Sequence, residues 1–130
     1  WATPFSGVRS ILAPAGLATA FAEVDAAIVG GGMTLYESIA AGVPTVAVAV
    51  VPAQGPTIRG FAARRLVLDA GAATDLPRLG RRIARTFAVL QADSDWRRRV
   101  SHDGPRTVDG HGAQRVARAI AALAETNALA

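Results

Sequence analysis

The chain of 130 residues contains no cysteine, which removes disulfides, thiolate metal ligands and thiol nucleophiles together. Its two histidines leave little for zinc chemistry, and no metal is expected. Lysine is absent as well: all fourteen basic residues are arginines, scattered from Arg9 to Arg118. A phosphate-cradling loop that ends in Gly-Lys is therefore excluded, and the ATP reading falls behind. The apolar stretches are broken by Gly, Pro or Gln well short of the roughly 20 residues that a membrane-spanning helix needs, and no basic-then-apolar leader opens the chain. No membrane span is expected, and a cytoplasmic location is.

Apolar residues make up 51% of the chain and charged residues 18%, a composition that fits one globular domain over 1–130. The formal net charge of +4 invites a nucleic-acid reading, but a nucleic-acid footprint is a concentrated basic stripe. The densest cluster here, Asp95-Trp96-Arg97-Arg98-Arg99, projects in several directions at helical spacing, so no nucleic-acid partner is expected.

Val8 to Leu12 is a short β-rich run, Pro14-Ala-Gly is a break, and Leu17, Phe21 and Val24 recur at helical spacing. Ala26-Ala27-Ile28-Val29 is continuously apolar and stops at Gly30-Gly31-Gly32, which suits a strand covered on both faces, as in parallel sheets. The pattern predicts a helix from Met33 to Ala41 with Gly42 as its left-handed stop, then a second buried strand from Thr45 to Val51 closed by Pro52. Pro56-Thr57 opens a helix expected to run through Phe61, Leu66 and Leu68 to Ala70, ended by Gly71, with Ala72-Ala73-Thr74 as a short strand. Leu79, Ile83, Phe87 and Leu90 mark an amphipathic helix over 76–90 whose polar side carries Arg78, Arg81, Arg82 and Arg85. A helix over 96–101 is expected to break at Asp103-Gly104-Pro105. The last helix, Gly110 to Glu125, is expected to bury Val116, Ile120 and Leu123. Strands alternating with helices imply the α/β class: a Rossmann-like parallel sheet with flanking helices and right-handed crossovers.

The chemistry concentrates between Ala26 and Pro52. A Gly-rich turn after a buried strand and before a helix is where open α/β sheets bind anions, because free backbone N–H groups and the helix N-terminus point into the crevice. Gly30, Gly31 and Gly32 would let a diphosphate approach the main chain. The spacing is not Gly-x-Gly-x-x-Gly and no acidic residue ends a following strand at the required distance, so a dinucleotide is not expected. Thr34-x-x-Glu37 admits two readings: a capping box that satisfies the first amides of the helix, or a carboxylate left open, an acceptor able to take two vicinal hydroxyls. His102-Asp103 and Asp109-x-His111 put imidazoles beside carboxylates, but Asp109 also fits as the cap of the last helix, and that simpler reading is preferred over catalysis or metal binding. Arg59 could pair with a diphosphate, although a solvated arginine at a helix start fits it better.

The run Asp25-Ala-Ala-Ile-Val-Gly-Gly-Gly-Met-Thr-Leu-Tyr-Glu-Ser-Ile-Ala-Ala-Gly-Val-Pro-Thr resembles the nucleotide-sugar motif in the C-terminal half of GT-B enzymes, where glycines precede Thr-x-x-Glu and Gly-x-Pro closes the helix. The resemblance continues through Val51-Pro52-Ala53-Gln54, Gly71-Ala72-Ala73 and Val108 to Val116. Within that fold the chain is most similar to the UDP-sugar hydrolases of pseudaminic acid biosynthesis and to spore-coat polysaccharide proteins, and less so to the peptidoglycan N-acetylglucosaminyltransferase. The resemblance implies that Gly31, Gly32 and Thr34 lie beside the diphosphate of a UDP sugar, with Gly30 and Met33 in the same nucleotide-sugar site, that Glu37 accepts the ribose hydroxyls, and that Gln54 helps to hold sugar or phosphate. Asn-Gln or His-Gln is the more usual pair at that last position, where this chain has Ala53-Gln54. No cofactor beyond the nucleotide-sugar substrate is implied, and no catalytic residue is identified.

In GT-B enzymes the acceptor site and catalytic base usually come from an N-terminal domain. The resemblance begins near the third strand of a doubly wound sheet, so the chain is expected to be an incomplete C-terminal domain, a fragment whose N-terminal half or a partner chain supplies the rest, and to be inactive alone. A sheet lacking its central strands leaves the edge of the Ile28-Val29 strand open, which predicts self-association through that edge. The alternative function is a non-catalytic interaction module that pairs through it.

Overall fold

The computed structural model describes residues 7–8, 10–11, 16–74 and 76–128, with side chains as far as 125. The expected first strand, Val8 to Leu12, lies partly outside these residues; Val8, Ser10 and Ile11 belong to no strand. Three parallel strands, β1 (Ala27–Gly30), β2 (Thr45–Ala49) and β3 (Leu68–Ala72), form a sheet in the order β1-β2-β3. The α-helices are α1 (Ala18–Ala22), α2 (Met33–Ala40), α3 (Gly55–Ala63), α4 (Leu76–Ala92), α5 (Ser94–Thr107) and α6 (Gly112–Ala128), with a 3₁₀ turn at Pro52–Gln54. This is the α/β, Rossmann-like arrangement expected from the alternation of strands and helices.

β2 is central, and all five of its residues are buried. Its side chains alternate between two apolar layers. Ala47 and Ala49 join Leu35, Ile39, Ile58, Leu66 and Val67 beneath α2 and α3. Val46 and Val48 join Ala70, Leu90, Trp96 and Val100 beneath α4 and α5. A strand buried on both faces has no use for polar alternation, which is why it reads as a nearly continuous apolar run.

Several expectations need correction. The helix expected from Pro56 to Ala70 stops at Ala63. Leu66 N donates to Phe61 O and Arg65 N to Ala62 O, while Arg65 adopts φ 59°. This is a left-handed helix stop of the kind glycine usually supplies. With an arginine there the stop carries no sequence signal, and β3 begins at Leu68 instead of Ala72. Gly71, expected to end the helix, lies inside β3 at φ 83°, where the register against β2 shifts.

The break at Asp103-Gly104-Pro105 does not occur either: α5 runs on to Thr107 with Pro105 inside it. A Cβ on Gly104 would lie 2.5 Å from Ile39 O, and one on Gly42 would lie 2.8 Å from Ser101 O. The two glycines let the end of α2 and the last turns of α5 meet main chain to main chain. That contact holds α5 helical past its proline.

Arg82 does not share the solvated side of α4, because its Nη2 donates to Ala72 O at the end of β3. Finally, Val116, Ile120 and Leu123 are not buried but 60%, 63% and 65% exposed. Periodicity identifies the apolar face of a helix; it does not supply the surface that would cover it, and no described residue covers α6.

Candidate functional site

The β1–α2 turn lies at the C-terminal end of the sheet, the side on which open α/β sheets bind ligands. None of Gly30, Gly31 and Gly32 takes a left-handed φ, so space is the reason for glycine here. Gly31 is buried, and a Cβ on it would lie 2.8 Å from both Gln54 Cβ and Ile58 Cδ1. Close packing of the 3₁₀ turn and α3 against the end of β1 thus requires glycine at 31 without reference to a ligand. A Cβ on Gly30 would sit 3.3 Å from Val50 Cγ2, while one on Gly32 would meet nothing closer than Gln54 Nε2 at 3.7 Å. Gly32 is the most open of the three.

Gln54 is oriented by a single bond. Val50 N donates to Gln54 Oε1 at 2.9 Å, which commits the carbonyl to β2 and turns the NH₂ group, a donor, toward Gly32. The N-terminus of α2 is uncapped: Gly32 occupies the cap position in an extended conformation and no side chain bonds there. The first amides of the helix therefore lack acceptors among the described residues. The capping-box reading of Thr34 and Glu37 is not realised. Glu37 is half-buried and its carboxylate makes no hydrogen bond or ion pair with a described residue. Met33 is 75% exposed at the mouth of the turn, and Arg59 is exposed on α3.

Glu37 and Met33 border a cleft of about 660 Å³ between α2, the end of α3 and the start of α6. Its other walls include Tyr36, Phe61, Arg64 and Arg115, none of them singled out from the sequence. Tyr36 and Phe61 meet edge to face with centroids 5.3 Å apart. Both stand at apolar positions of their helices, and spacing alone does not separate a core aromatic from one that lines a cleft.

Asp109 also lines this cleft. Arg115 Nη1 lies 2.6 Å from Asp109 Oδ2, and His111 N donates to Asp109 Oδ1 at 3.0 Å. The Arg115 hydrogen bond and then the His111 amide hold the Asp109 carboxyl down at about 2, and the same pair raises Arg115. Asp109 serves the start of α6 from three residues ahead of Gly112 and not as its immediate cap. A carboxyl depressed in the folded state contributes stability above its unfolded pKa, and that contribution is lost as the pH falls through the folded value. We expect the clasp to be intact at pH 4 and to open only as the pH approaches about 2. An NMR titration of the Asp109 carboxyl carbon checks this, and a midpoint near the ordinary 3.8 would refute it. His102 Nδ1 lies 2.6 Å from Asp103 Oδ1 on the exposed side of α5, apart from the cleft-lining residues. Among the described residues no three His, Asp or Glu side chains form a group that could hold a metal ion.

The chain is similar to the spore coat polysaccharide biosynthesis protein SpsG of Bacillus subtilis (strain 168), with 40% identity over 99 residues, 72% of this chain and 27% of that protein. The chain thus spans about a quarter of the length of the curated relative it matches. No family model and no solved structure matches it.

Proposed function

We propose that this chain is the nucleotide-sugar-binding part of an enzyme of polysaccharide biosynthesis, a GT-B-type hydrolase or glycosyltransferase that acts on a UDP sugar at its anomeric carbon. The observation that carries the reading is the unpaired Glu37 carboxylate, one turn along α2 from an uncapped helix N-terminus. Capping would have explained both Thr34 and Glu37 without a ligand, and that explanation is gone. The similarity to a spore coat polysaccharide biosynthesis protein supports the sugar chemistry.

In this reading the pyrophosphate lies against the open amides of Met33 and Thr34 at the helix N-terminus, where the macrodipole favours negative charge. The Gln54 NH₂ group supplies a further donor beside Gly32. Glu37, acceptor-only when ionised, takes the paired ribose hydroxyls. As the bond from the anomeric carbon to the diphosphate breaks, charge grows on the departing phosphate, and the amides stabilise it without reorganising. The attacking group and its base come from outside this chain, which binds the donor and is silent alone.

Isothermal titration of the chain with UDP, CDP and TDP sugars tests the proposal. Saturable binding with a preference for UDP is expected, and absence of heat with every nucleotide sugar at concentrations of about 1 mM, where even binding worth only about 4 kcal/mol half-saturates, would overturn it for this chain.

A further inference from the structure

Gly30, Gly31 and Gly32 do not serve one purpose. Gly31 is buried, and the atoms that crowd it are Gln54 Cβ, Ile58 Cδ1 and Ile58 Cγ1, at 2.8, 2.8 and 2.9 Å from where its own Cβ would stand. Neither neighbour can easily retreat. Ile58 is fully buried in one cluster with Leu35, Ala47 and Leu66, and Gln54 Cβ is fixed to a main chain whose N–H donates to Val51 O at 3.1 Å. Gly30 backs the other half of the same contact, since a Cβ there would press on Val50 Cγ2 at 3.3 Å. Val50 and Gln54 are the donor and acceptor of one bond, Val50 N to Gln54 Oε1 at 2.9 Å. That bond fixes more than a position. A backbone N–H can be met only by the carbonyl end of the side-chain amide, so the NH₂ end, which only donates, is turned away from it. A Cβ added to Gly32 would lie 3.7 Å from that nitrogen.

We infer that Gly31, with Gly30 beside it, is a positioning residue: its missing side chain seats the 3₁₀ turn so that Gln54 is locked to Val50 and holds a fixed N–H donor beside Gly32, the one glycine of the three that a ligand approaches. The lock selects a ligand group that only accepts, such as a non-bridging oxygen of the pyrophosphate. A flipped amide would set two donors against each other at Val50 and present an oxygen to the phosphate, so the flip is disfavoured twice. What the donor meets rests on the nucleotide-sugar reading above; the lock itself does not.

Two readouts test it. The first needs no ligand: hydrogen exchange of the Val50 amide, followed by NMR in the intact chain and in Gln54→Ala, Gly31→Ala and Gly32→Ala. Exchange is expected to be at least about tenfold faster than in the parent for the first two variants and unchanged for the third. The second is titration with UDP-N-acetylglucosamine. Gln54→Ala and Gly31→Ala are each expected to weaken binding about tenfold, the worth of one hydrogen bond to a charged group. The double variant should also lose only about tenfold, because both changes remove the same bond, whereas independent losses would multiply to about a hundredfold. Gln54→Glu keeps the acceptor for Val50 but replaces the NH₂ group with a second carboxylate oxygen, so Val50 should stay protected while binding falls further than in Gln54→Ala. That variant decides the question if Gly31→Ala loses its far-UV circular dichroism. A folded Gly31→Ala protein with parental exchange at Val50 overturns the inference. So do losses that multiply, or a Gln54→Glu protein that binds no worse than Gln54→Ala. A parent chain that does not bind UDP-N-acetylglucosamine removes the nucleotide-sugar reading, and exchange at Val50 still decides the lock.

Discussion

Glu37→Ala is expected to weaken the binding of a UDP sugar by roughly 10- to 100-fold while leaving the folded state as stable as before. The size follows from the bonds lost. A hydrogen bond to an ionised carboxylate contributes about 1.5–3 kcal/mol, and Glu37 would accept two from vicinal hydroxyls. Its half-exposed position lets water compete, so the pair together is worth about 1.5–3 kcal/mol. Stability should move by no more than about 0.5 kcal/mol, since the carboxylate has no described partner to abandon and alanine suits a helix interior. Glu37→Gln keeps one acceptor oxygen and should fall between. Titration of the three proteins with the same UDP sugar decides the matter, read beside their thermal melts. Equal affinities would remove Glu37 from the site. A loss of binding that tracks a loss of stability would mean the residue holds α2 in place and does not touch the ligand.

The layout of strands and helices was legible wherever the local signal agreed with the packing. Gly42, at φ 69°, ends α2 as a glycine before Val-Pro should. The nearly continuous apolar run at 45–49 is the central strand because both of its faces are covered. Legibility failed where one residue type stood in for another. Arg65 takes a left-handed stop that costs a non-glycine residue about 1–2 kcal/mol, offset here in part because its carbonyl accepts from Trp96 Nε1 at 2.8 Å. It failed again where tertiary contact overrode a breaker, as at Pro105. At the candidate site, Glu37 and Gln54 could be named from the sequence, but their states could not. Only coordinates show that the Gln54 carbonyl is already engaged, or that Gly31 answers to Ile58. The cleft wall was invisible because Phe61 and Arg115 come from distant helices that the chain brings together only once α5 has passed beneath the sheet.

Gly104→Ala should be among the most destabilising single-methyl additions in this chain, at about 2–3 kcal/mol, although the same change in an ordinary helix stabilises by about 0.5–1 kcal/mol. The sign turns on what the methyl meets. At 2.5 Å from Ile39 O it collides with main chain and not with the movable end of a side chain. That carbonyl cannot easily give way, because it accepts from Gly42 N at 2.9 Å. Gly42 is itself wedged against Ser101 of α5. Relief therefore requires α5 to lift from α2, which opens the packing around Ile39 and Val100, both fully buried. Gly60→Ala and Gly80→Ala provide the contrast: both lie in helices, on α3 and α4, and neither would bring a Cβ within 4 Å of another group. Both are expected to raise stability by the ordinary helical increment of about 0.5–1 kcal/mol. Thermal unfolding followed by circular dichroism should show Gly104→Ala melting about 6–15 °C lower and the other two slightly higher. A Gly104→Ala protein as stable as the parent would mean that the α2–α5 contact has room for a methyl group between Gly104 and Ile39 O. α5 would then no longer fix the position of α2, and the placement of Glu37 at the mouth of the cleft would lose its structural cause.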